Sequence, residues 1–505
     1  MQHARMDIRT DRVAGPRPAV RRKIAALLTA SLVLTGSITL AAPSAAAGAA
    51  KVKQQAKKVK TSRLPAPIKS VKSKPGKKPG TAVISWKADN TFVSYFELEL
   101  ASTSFSKKIK TLPNKGLDYR KVKIPRTAKK FTISEKLAAK AGAPVGSGSH
   151  IIFRFAAVNA AGKKKLVRAF PYQQAVHTAP VTPAKTGIKL RFASYNVASS
   201  RATATTRPWN TRKAKVAANI VKSKADVVML QEVGPGNEID GTSPNGGAIP
   251  KQTESLEKAV NSIAGGSSYK LVKRNAYKAP GTLSASQGAR ILYNSARLAE
   301  ISQCADQTWW PEKQRYREYS DTCTITLPTL KSDTKSAERR AVYALFEDRA
   351  TGTKFWAVSA HLDPRKAPKG KKAKQYDKLR GRQMTTIIST MDRLNTQHHP
   401  ILFGGDINIS QYNQTSGALP HRKAMKAGYQ DASAAKKRQG VRLPTSNQWM
   451  VKVKPSSMGY GPRIDVLMTK GIIGSLRYVN TMKRVDKSRE SDHALIHATV
   501  RVPGT

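Results

Sequence analysis

Acidic residues are scarce in this chain. Against 90 Lys and Arg there are 31 Asp and Glu in 505 residues, a formal net charge of +59. Such an excess needs a polyanionic neighbour or a surface that tolerates it: nucleic acid, anionic cell wall or acidic lipid. Long apolar runs are lacking as well. Only Ile24–Leu40 approaches the length of a bilayer span, which excludes a multispanning membrane protein. Apolar residues make up 39% and aromatics 6% of the chain, less than the globular norm. Yet apolar, β-rich segments recur after Thr81 and exclude wholesale disorder. Cysteine occurs only twice, at Cys304 and Cys323, with 18 residues between. In an exported chain such a pair reads as one disulfide, contributing roughly 3 kcal/mol on the chain-entropy estimate. The alternative is two free buried thiols; with no flanking His, metal binding is disfavoured.

The first 47 residues read as an export signal. Arg21, Arg22 and Lys23 precede the uncharged Ile24–Leu40, and Ala41–Ala47 offers a small-residue cleavage site near Ala47. The paired arginines are compatible with a twin-arginine route. Cleavage makes the expected location extracellular and leaves no further spanning run; the alternative is a retained anchor. Residues 48–80 are rich in Lys, Ala, Pro, Gly and Ser, and 51–80 holds 11 basic and no acidic residues. This composition predicts a disordered basic tether, suited to a nucleic-acid substrate or to anionic cell wall.

Over 81–180 the pattern is of short strands without helical periodicity. Thr81–Trp86 alternates. Tyr95–Ala101 sets Phe96, Leu98 and Leu100 on one face and Tyr95, Glu97 and Glu99 on the other, and His150–Val158 is a long strand closed by a turn at Asn159–Gly162. These segments predict an all-β sandwich and resemble a fibronectin type III domain, a likeness that covers roughly 62–180. The resemblance implies a spacer or binding platform. Pro180, Pro183 and Gly187 mark a linker.

From Ile188 strands and helices intermix. Strands are predicted at Ile188–Val197, Asp226–Gln231, Ala289–Tyr293, Ala341–Phe346, Phe355–Ala360, Ile401–Gly404, Ile464–Thr469 and His493–Val502. Helices are predicted at Thr211–Ser223, with Ala214, Ala217, Ala218 and Val221 as its stripe, and at Lys374–Leu394, with Met384, Ile387, Ile388 and Met391. The class is α+β, with two sheets packed face to face and flanked by helices.

Polar residues gather where these strands end: Asn196, Glu232, His361 with Asp363, Asp406 with Asn408, Asp465, and Ser491-Asp492-His493. A buried strand ending in a carboxylate is unfavourable unless the charge is paired or binds metal, and several such endings can converge at one sheet edge. The chemistry fits metal-assisted phosphodiester cleavage. Glu232 is a hard oxygen ligand for Mg²⁺, or Mn²⁺ or Ca²⁺, and Asn196 and Asp492 can add oxygens. Asp406 can orient and deprotonate water, and Asn408 can hydrogen-bond a phosphate oxygen. His493, with Asp465 as expected partner, has the pattern of a base and its orienter. His361 is a general acid or a donor to phosphoryl oxygens. Alone, Gln-Glu after a strand is a capping or surface pair, and Gly-Asp-x-Asn is a turn; their order along the chain carries the reading. Asp363 is expected to brace the His361 loop, His497 to be structural, and Lys369–Lys374 to be a solvated loop.

Six segments, Phe192–Asn196, Asp226–Glu232, Ser359–Asp363, Gly404–Asn408, Arg463–Asp465 and Ser491–His493, resemble in sequence order the endonuclease/exonuclease/phosphatase family of DNase I, exonuclease III-type nucleases and neutral sphingomyelinases. The resemblance covers 188–503. It implies a four-layer αββα sandwich and divalent-metal hydrolysis of phosphoesters, with Glu232 as metal ligand, Asp406 and Asn408 as the water and phosphate pair, and Asp465–His493 as the catalytic dyad. Some members carry an acid two residues after the Asn, where this chain has Ala198. The expected function is a secreted metal-dependent phosphodiesterase, foremost a nuclease, because residues 181–505 carry net +30. The alternatives are a lipid or small-molecule phosphoesterase of the same fold and a non-catalytic wall- or matrix-binding protein.

Overall fold

A computed structural model describes residues 64–68, 70–102, 120–161, 164–166, 175–200, 207–234, 251–272, 288–302, 309–310, 315–316, 323–334, 337–367, 370–411, 418–456 and 459–504. The export signal, residues 48–63 of the tether, Lys369 and Cys304 lie outside the described residues. No helix among the described residues is long and apolar enough to cross a membrane.

The first part is built of strands β1 (Ser70–Pro75), β2 (Ala82–Lys87), β3 (Tyr95–Ser102), β4 (Arg120–Pro125), β5 (Lys130–Ile133), β6 (His150–Val158), β7 (Lys164–Leu166) and β8 (Ala175–His177). One sheet runs β1-β2-β5; the other runs β4-β3-β6-β7, with β8 also on β6. Alternation decides which side chains meet. Ala82, Ile84 and Trp86 of β2 and Phe96, Leu98 and Leu100 of β3 point inward. The Trp86 ring lies 4.5 Å from Phe155 and 5.3 Å from Phe96. Glu99, on the opposite face, is buried in an ion pair with Arg154.

Two expectations need correction here. The basic tether does not extend to residue 80: Ile68 is buried in the sandwich core and Ser70–Pro75 pairs along its whole length with β2. Its polar, lysine-bearing sequence escapes a hydrophobic pattern because β1 is an exposed edge strand, where lysines and proline block further pairing. Among its described residues the sandwich also contains a helix, Glu135–Lys140, started by the Ser134 hydroxyl, which accepts the Leu137 N–H at 3.3 Å. Six residues are too few to show a period.

The larger part begins with β9 (Ile188–Asn196), β10 (Val227–Gln231), β11 (Tyr269–Leu271), β12 (Arg290–Asn294) and β13 (Leu298–Glu300). The two-residue pair β14 (Trp309–Trp310) and β15 (Arg315–Tyr316) comes next, followed by β16 (Thr324–Leu327), β17 (Arg339–Asp348), β18 (Lys354–His361), β19 (Ile401–Asp406) and β20 (Gln430–Asp431). It ends with β21 (Lys437–Gln439), β22 (Asp465–Lys470), β23 (Arg477–Asn480) and β24 (Ile496–Val502). Two sheets result: β11-β12-β10-β9-β24-β23-β21, and β13-β17-β18-β19-β22-β20 with β16 on β17. Phe192, Met229, Ile291 and Ala498 of the first meet Val342, Phe346, Phe355 and Leu467 of the second. Outside the first sheet, helices Trp209–Ser223 and Gln252–Ala264 pack Val216, Ile220, Leu256 and Val260 on Tyr195, Val228 and Leu230. Outside the second, helix Gly370–Leu394 packs Met384, Ile387 and Met391, and helix Leu419–Lys426 packs Ala424, on Val358, Ile401 and Phe403. The chain from 188 is therefore four layers, helix, sheet, sheet, helix. Helix 370–394 begins four residues before the predicted start, so Lys371, Lys372 and Lys374 lie on a helix. The buried stripe of helix 209–223 is Trp209, Arg212, Val216, Ala217 and Ile220; it shares Ala217 with the predicted stripe, and Val221 packs at its margin.

The two parts meet at a polar seam. The Asp431 N–H donates to the Gly146 carbonyl at 2.8 Å. His177 Nε2 lies 3.3 Å from the Tyr460 hydroxyl, and the His150 ring stands edge-on to Tyr460 at 4.2 Å. Arg463 covers the Tyr460 ring at 4.5 Å and reaches Asp431 at 3.1 Å, and His421 Nε2 lies 2.8 Å from Asp431. Burial alone would raise the Asp431 carboxyl, but Arg463 and His421 hold it well below the usual range.

Two predictions follow from this packing. A Cβ on Gly404 would lie 2.9 Å from the Met229 Cβ and 3.2 Å from the Ser194 Cβ of the facing sheet. Gly404→Ala is expected to destabilise by about 1–3 kcal/mol through overpacking, read as a lower urea midpoint at unchanged slope; an unchanged midpoint would contradict this close approach. Burial, with Arg438 and Arg463 adding to it, lowers His150 to about 3. The unfolded chain, with an ordinary histidine pKa near 6.5, therefore binds more protons between those values. Stability held above about pH 6.5 is lost as pH falls toward 3. His150→Phe should flatten the decline in urea midpoint between pH 7.5 and 4.5; parallel curves would remove His150 as its source.

Candidate active site

The register of the strands assembles the site. Asn196 and Gln231 are partners across β9 and β10, and Glu232 follows at once in a left-handed turn, φ 58°. In the second sheet, Asp406 is the cross-strand partner of both His361 on β18 and Asp465 on β22. Strands β18 and β19 are parallel, whereas β22 is antiparallel to β19. Two strand ends and one strand start therefore share an edge, and the close apposition of the sheets brings Asn196 and Glu232 to it.

Asn196 stands at the junction. Its Nδ2 donates to Glu232 Oε1 at 3.1 Å and to Asp406 Oδ2 at 3.2 Å, while its Oδ1 accepts the Ala198 N–H at 3.1 Å. Asp406 Oδ2 lies 3.7 Å from His361 Nε2 and 3.8 Å from His493 Nε2. His493 Nδ1 is 2.9 and 3.0 Å from the two oxygens of Asp465, and its Nε2 is 3.9 Å from Asp492. His493 does not open the last strand as expected: β24 starts at Ile496, and 491–495 forms a loop bridged to Ser446. Leaving the sheet is what lets the ring reach Asp465. The Asn408 N–H donates to Asp406 Oδ1 at 2.8 Å and its amide to the Leu362 carbonyl at 3.1 Å, so Asn408 braces the turn that carries Asp406. Asp363 clamps Arg365, which also pairs with Asp333 at 2.6 Å. His497 sits on β24, paired with Ala193 and Val479, away from this edge.

Electrostatics divides the roles. Burial, then Asp465, pushes Asp406 up to about 7. Burial, then the Asp492 charge, raises Glu232. Burial alone would lower His493, but Asp465, Asp492 and Asp406 raise it well above the ordinary value. Burial, Arg339 and His493 hold His361 well below, leaving it a neutral donor rather than a protonated acid. Its Nδ1 has no hydrogen-bond partner among the described residues.

Glu232 and Asp492 are oxygen donors whose close charges raise Glu232, an arrangement a divalent cation would relieve. As oriented, Asn196 offers hydrogens to this place rather than its oxygen. Asp406, Asp465 and His493 also present ligand atoms within 4.8 Å of one another, a spacing the Asp465–His493 hydrogen bond accounts for.

Sequence reasoning missed three residues. Arg212 donates to the carbonyls of Val197, Ala198 and Ser199, fixing the loop after Asn196; a lone Arg on an apolar helical stripe was its signal. Gln231 joins the sheets, donating to Ser359 Oγ at 3.3 Å and accepting from Ser194 at 3.3 Å. Arg339, heading β17, acts electrostatically on Asp363, Glu232 and Asp406, with no local signal in the sequence.

Among the described residues no cysteine is free, and Cys323 is disulfide-bonded. No family model and no curated protein matches the chain. Solved structures similar to it include an endonuclease/exonuclease/phosphatase from Bacteroides vulgatus, 17% identical, covering 62% of this chain and 99% of that one at TM-score 0.44. Another is the mannosyl-6-phosphatase of Bacteroides thetaiotaomicron, 18% identical over 62% and 99% of the chains, TM-score 0.42. The catalytic domain of human Nocturnin with a bound sulfate anion is 12% identical over 62% and 95%, TM-score 0.40.

Replacing either partner of the buried pair, by His493→Ala or Asp465→Asn, is expected to lower kcat on a phosphodiester by ~100-fold or more. The double variant should lose little beyond the worse single one, since the two act as a unit. Multiplicative losses in steady-state assays would mean that they act separately.

Proposed function

We propose that this chain is a secreted, divalent-metal-dependent phosphodiesterase that hydrolyses nucleic acid. The observation that carries the reading is Asp406: a buried carboxylate raised to about 7, set between His361, the Asp465–His493 pair and Asn196. A base poised near neutrality is suited to take a proton from water. In the reaction we infer, Asp406 accepts that proton as the water oxygen bonds to phosphorus. The ester P–O bond breaks, and the departing oxygen takes its proton from solvent. His493, kept charged by Asp465, and neutral His361 donate to the phosphoryl oxygens. Asn196 and Asn408 hold Asp406 in place. Glu232 and Asp492 would hold a divalent cation, which when bound neutralises phosphoryl charge and acidifies water.

The net +30 of residues 181–505 favours a polyanionic substrate. The basic residues of 51–63 are proposed to hold the same nucleic acid or anionic cell wall. The strand order β1-β2-β5 against β4-β3-β6-β7 supports reading the first part as fibronectin type III-like. The state of Cys323 supports its pairing with Cys304. One observation favours a second reading, a lipid phosphodiester: Met450, Val451 and Val485 are exposed side by side, Lys452 bridging to Val485.

The test is a parallel assay of plasmid DNA, RNA, sphingomyelin vesicles and p-nitrophenyl phosphate with Mg²⁺, with and without excess chelator. Cleavage of nucleic acid that is lost on chelation, and in Glu232→Gln at an unchanged melting temperature, is expected. Full activity in chelator would remove the metal. Cleavage of sphingomyelin with none of plasmid or RNA would replace the nuclease reading with the lipid one.

A further inference from the structure

Beside the catalytic edge lies a cleft of about 710 Å³. It opens between the start of helix 370–394 and the loops at 444–454. Asn408 and Ser446 form the wall it shares with the catalytic edge. Asn408 hydrogen-bonds Asp406, and Ser446 is bridged to His493, so the cleft continues from the reacting centre. Its volume is that of a small-molecule site and exceeds what a bare phosphate needs.

The lining is selective. Four cationic residues, Lys366, Arg380, Lys452 and Lys454, face one acid, Asp377. Among the described residues, no aromatic ring lines it. A choline headgroup is therefore disfavoured by the like charge around it. The walls between the cations are apolar, with Ile409, Val453 and Ile464 among them.

The floor carries a second observation. Asp377 and Arg380 are 2% and 4% exposed and paired at 2.6 Å through Asp377 Oδ1 and Arg380 Nη2. Arg380 Nη1 donates to the carbonyls of Asp363 and Arg365. Among the described residues, Asp377 Oδ2 and Arg380 Nε have no hydrogen-bond partner, and neither is exposed to solvent. Both atoms are closed off from contact by water, so this ion pair supports the cleft from beneath and holds the Asp363–Arg365 turn beside it.

We propose that this cleft is the subsite for the nucleotide next to the scissile phosphodiester. Its base contacts the apolar walls, and its neighbouring phosphates contact Lys366, Lys452 and Lys454. The inference rests on the nuclease reading above and sharpens it, since a substrate must then carry a base and more than one phosphate.

The experiment uses the full chain in a Glu232→Gln background, so that the strand is not consumed. Binding of a fluorescent 12-nucleotide single strand is followed by anisotropy across salt concentrations. Lys452 and Lys454 are exposed, so Lys452→Ala/Lys454→Ala should keep the fold. That double variant is expected to bind at least 10-fold more weakly at low salt and to reduce the salt slope by about 1.4, the loss of two single-strand phosphate contacts. The remote double variant Lys222→Ala/Lys270→Ala controls for diffuse charge; an equal loss there overturns the subsite. In the otherwise wild-type enzyme, the cleft variant should raise KM on the 12-mer while leaving bis-p-nitrophenyl phosphate hydrolysis within twofold. Equal loss on both substrates would place the lysines in the chemistry and overturn the proposal. Lysine-dependent strand binding without any strand cleavage would sink the nuclease reading and leave the cleft as a strand-binding site only. Cleavage without lysine dependence would do the reverse.

Discussion

The site depends on a buried negative charge. Asp406 is placed by sheet register opposite both His361 and Asp465, so two carboxylates and two imidazoles share one dry edge. Such a group persists only when neighbours hold it, because an unpaired ion in a low-dielectric interior shifts its pKa or forces the fold apart. The Asn196 amide, the Asn408 N–H and the two histidines meet that demand. Each is held in turn: Asn196 by the loop that Arg212 fastens, and His493 by Asp465 and by Ser491, whose hydroxyl accepts the His493 N–H at 3.2 Å. Raising Asp406 toward neutrality is then both the penalty of burial and the property a proton acceptor needs.

Much of this is legible in sequence for a specific reason. A strand buried on both faces reads as an unbroken apolar run, so its first polar residue marks where the sheet opens. Val227–Gln231 followed by Glu232, and Ile401–Asp406, announce their ends in this way. What was not legible depends on contacts distant along the chain. Arg339 acts on Glu232, over 100 residues away, and nothing around it in sequence distinguishes it from other basic residues. Gln231 reads as the first half of a polar pair, yet it joins the two sheets. β1 was hidden because an edge strand has one neighbour and little to bury, so its lysines resemble those of a tether. The stripe of helix 209–223 was only partly legible because Trp209 precedes the predicted start at Thr211 and the buried Arg212 is charged, leaving Ala217 as the shared residue.

The seam is the other concentration of buried charge. Asp431, Arg463, His421 and Tyr460 interlock, and Arg463 lies two residues before Asp465. Removing one member would leave a buried partner uncompensated, which costs about 3–5 kcal/mol in comparable settings. The second sheet therefore carries two charged clusters on adjoining segments of one chain, one chemical and one architectural.

That seam bears on modularity. A sandwich joined to an enzyme by a linker can be lost, duplicated or exchanged as a cassette, because neither partner has a face shaped for the other. Here Gly148 packs against Ser433 so closely that a Cβ would lie 2.4 Å from its hydroxyl, and Tyr460 is closed over by His150 and His177. Removing the sandwich would open a patch of aromatic and charged groups beside the strand that carries Asp465. The two parts are thus shaped to each other, and a chain shortened to the four layers alone would turn that patch toward water.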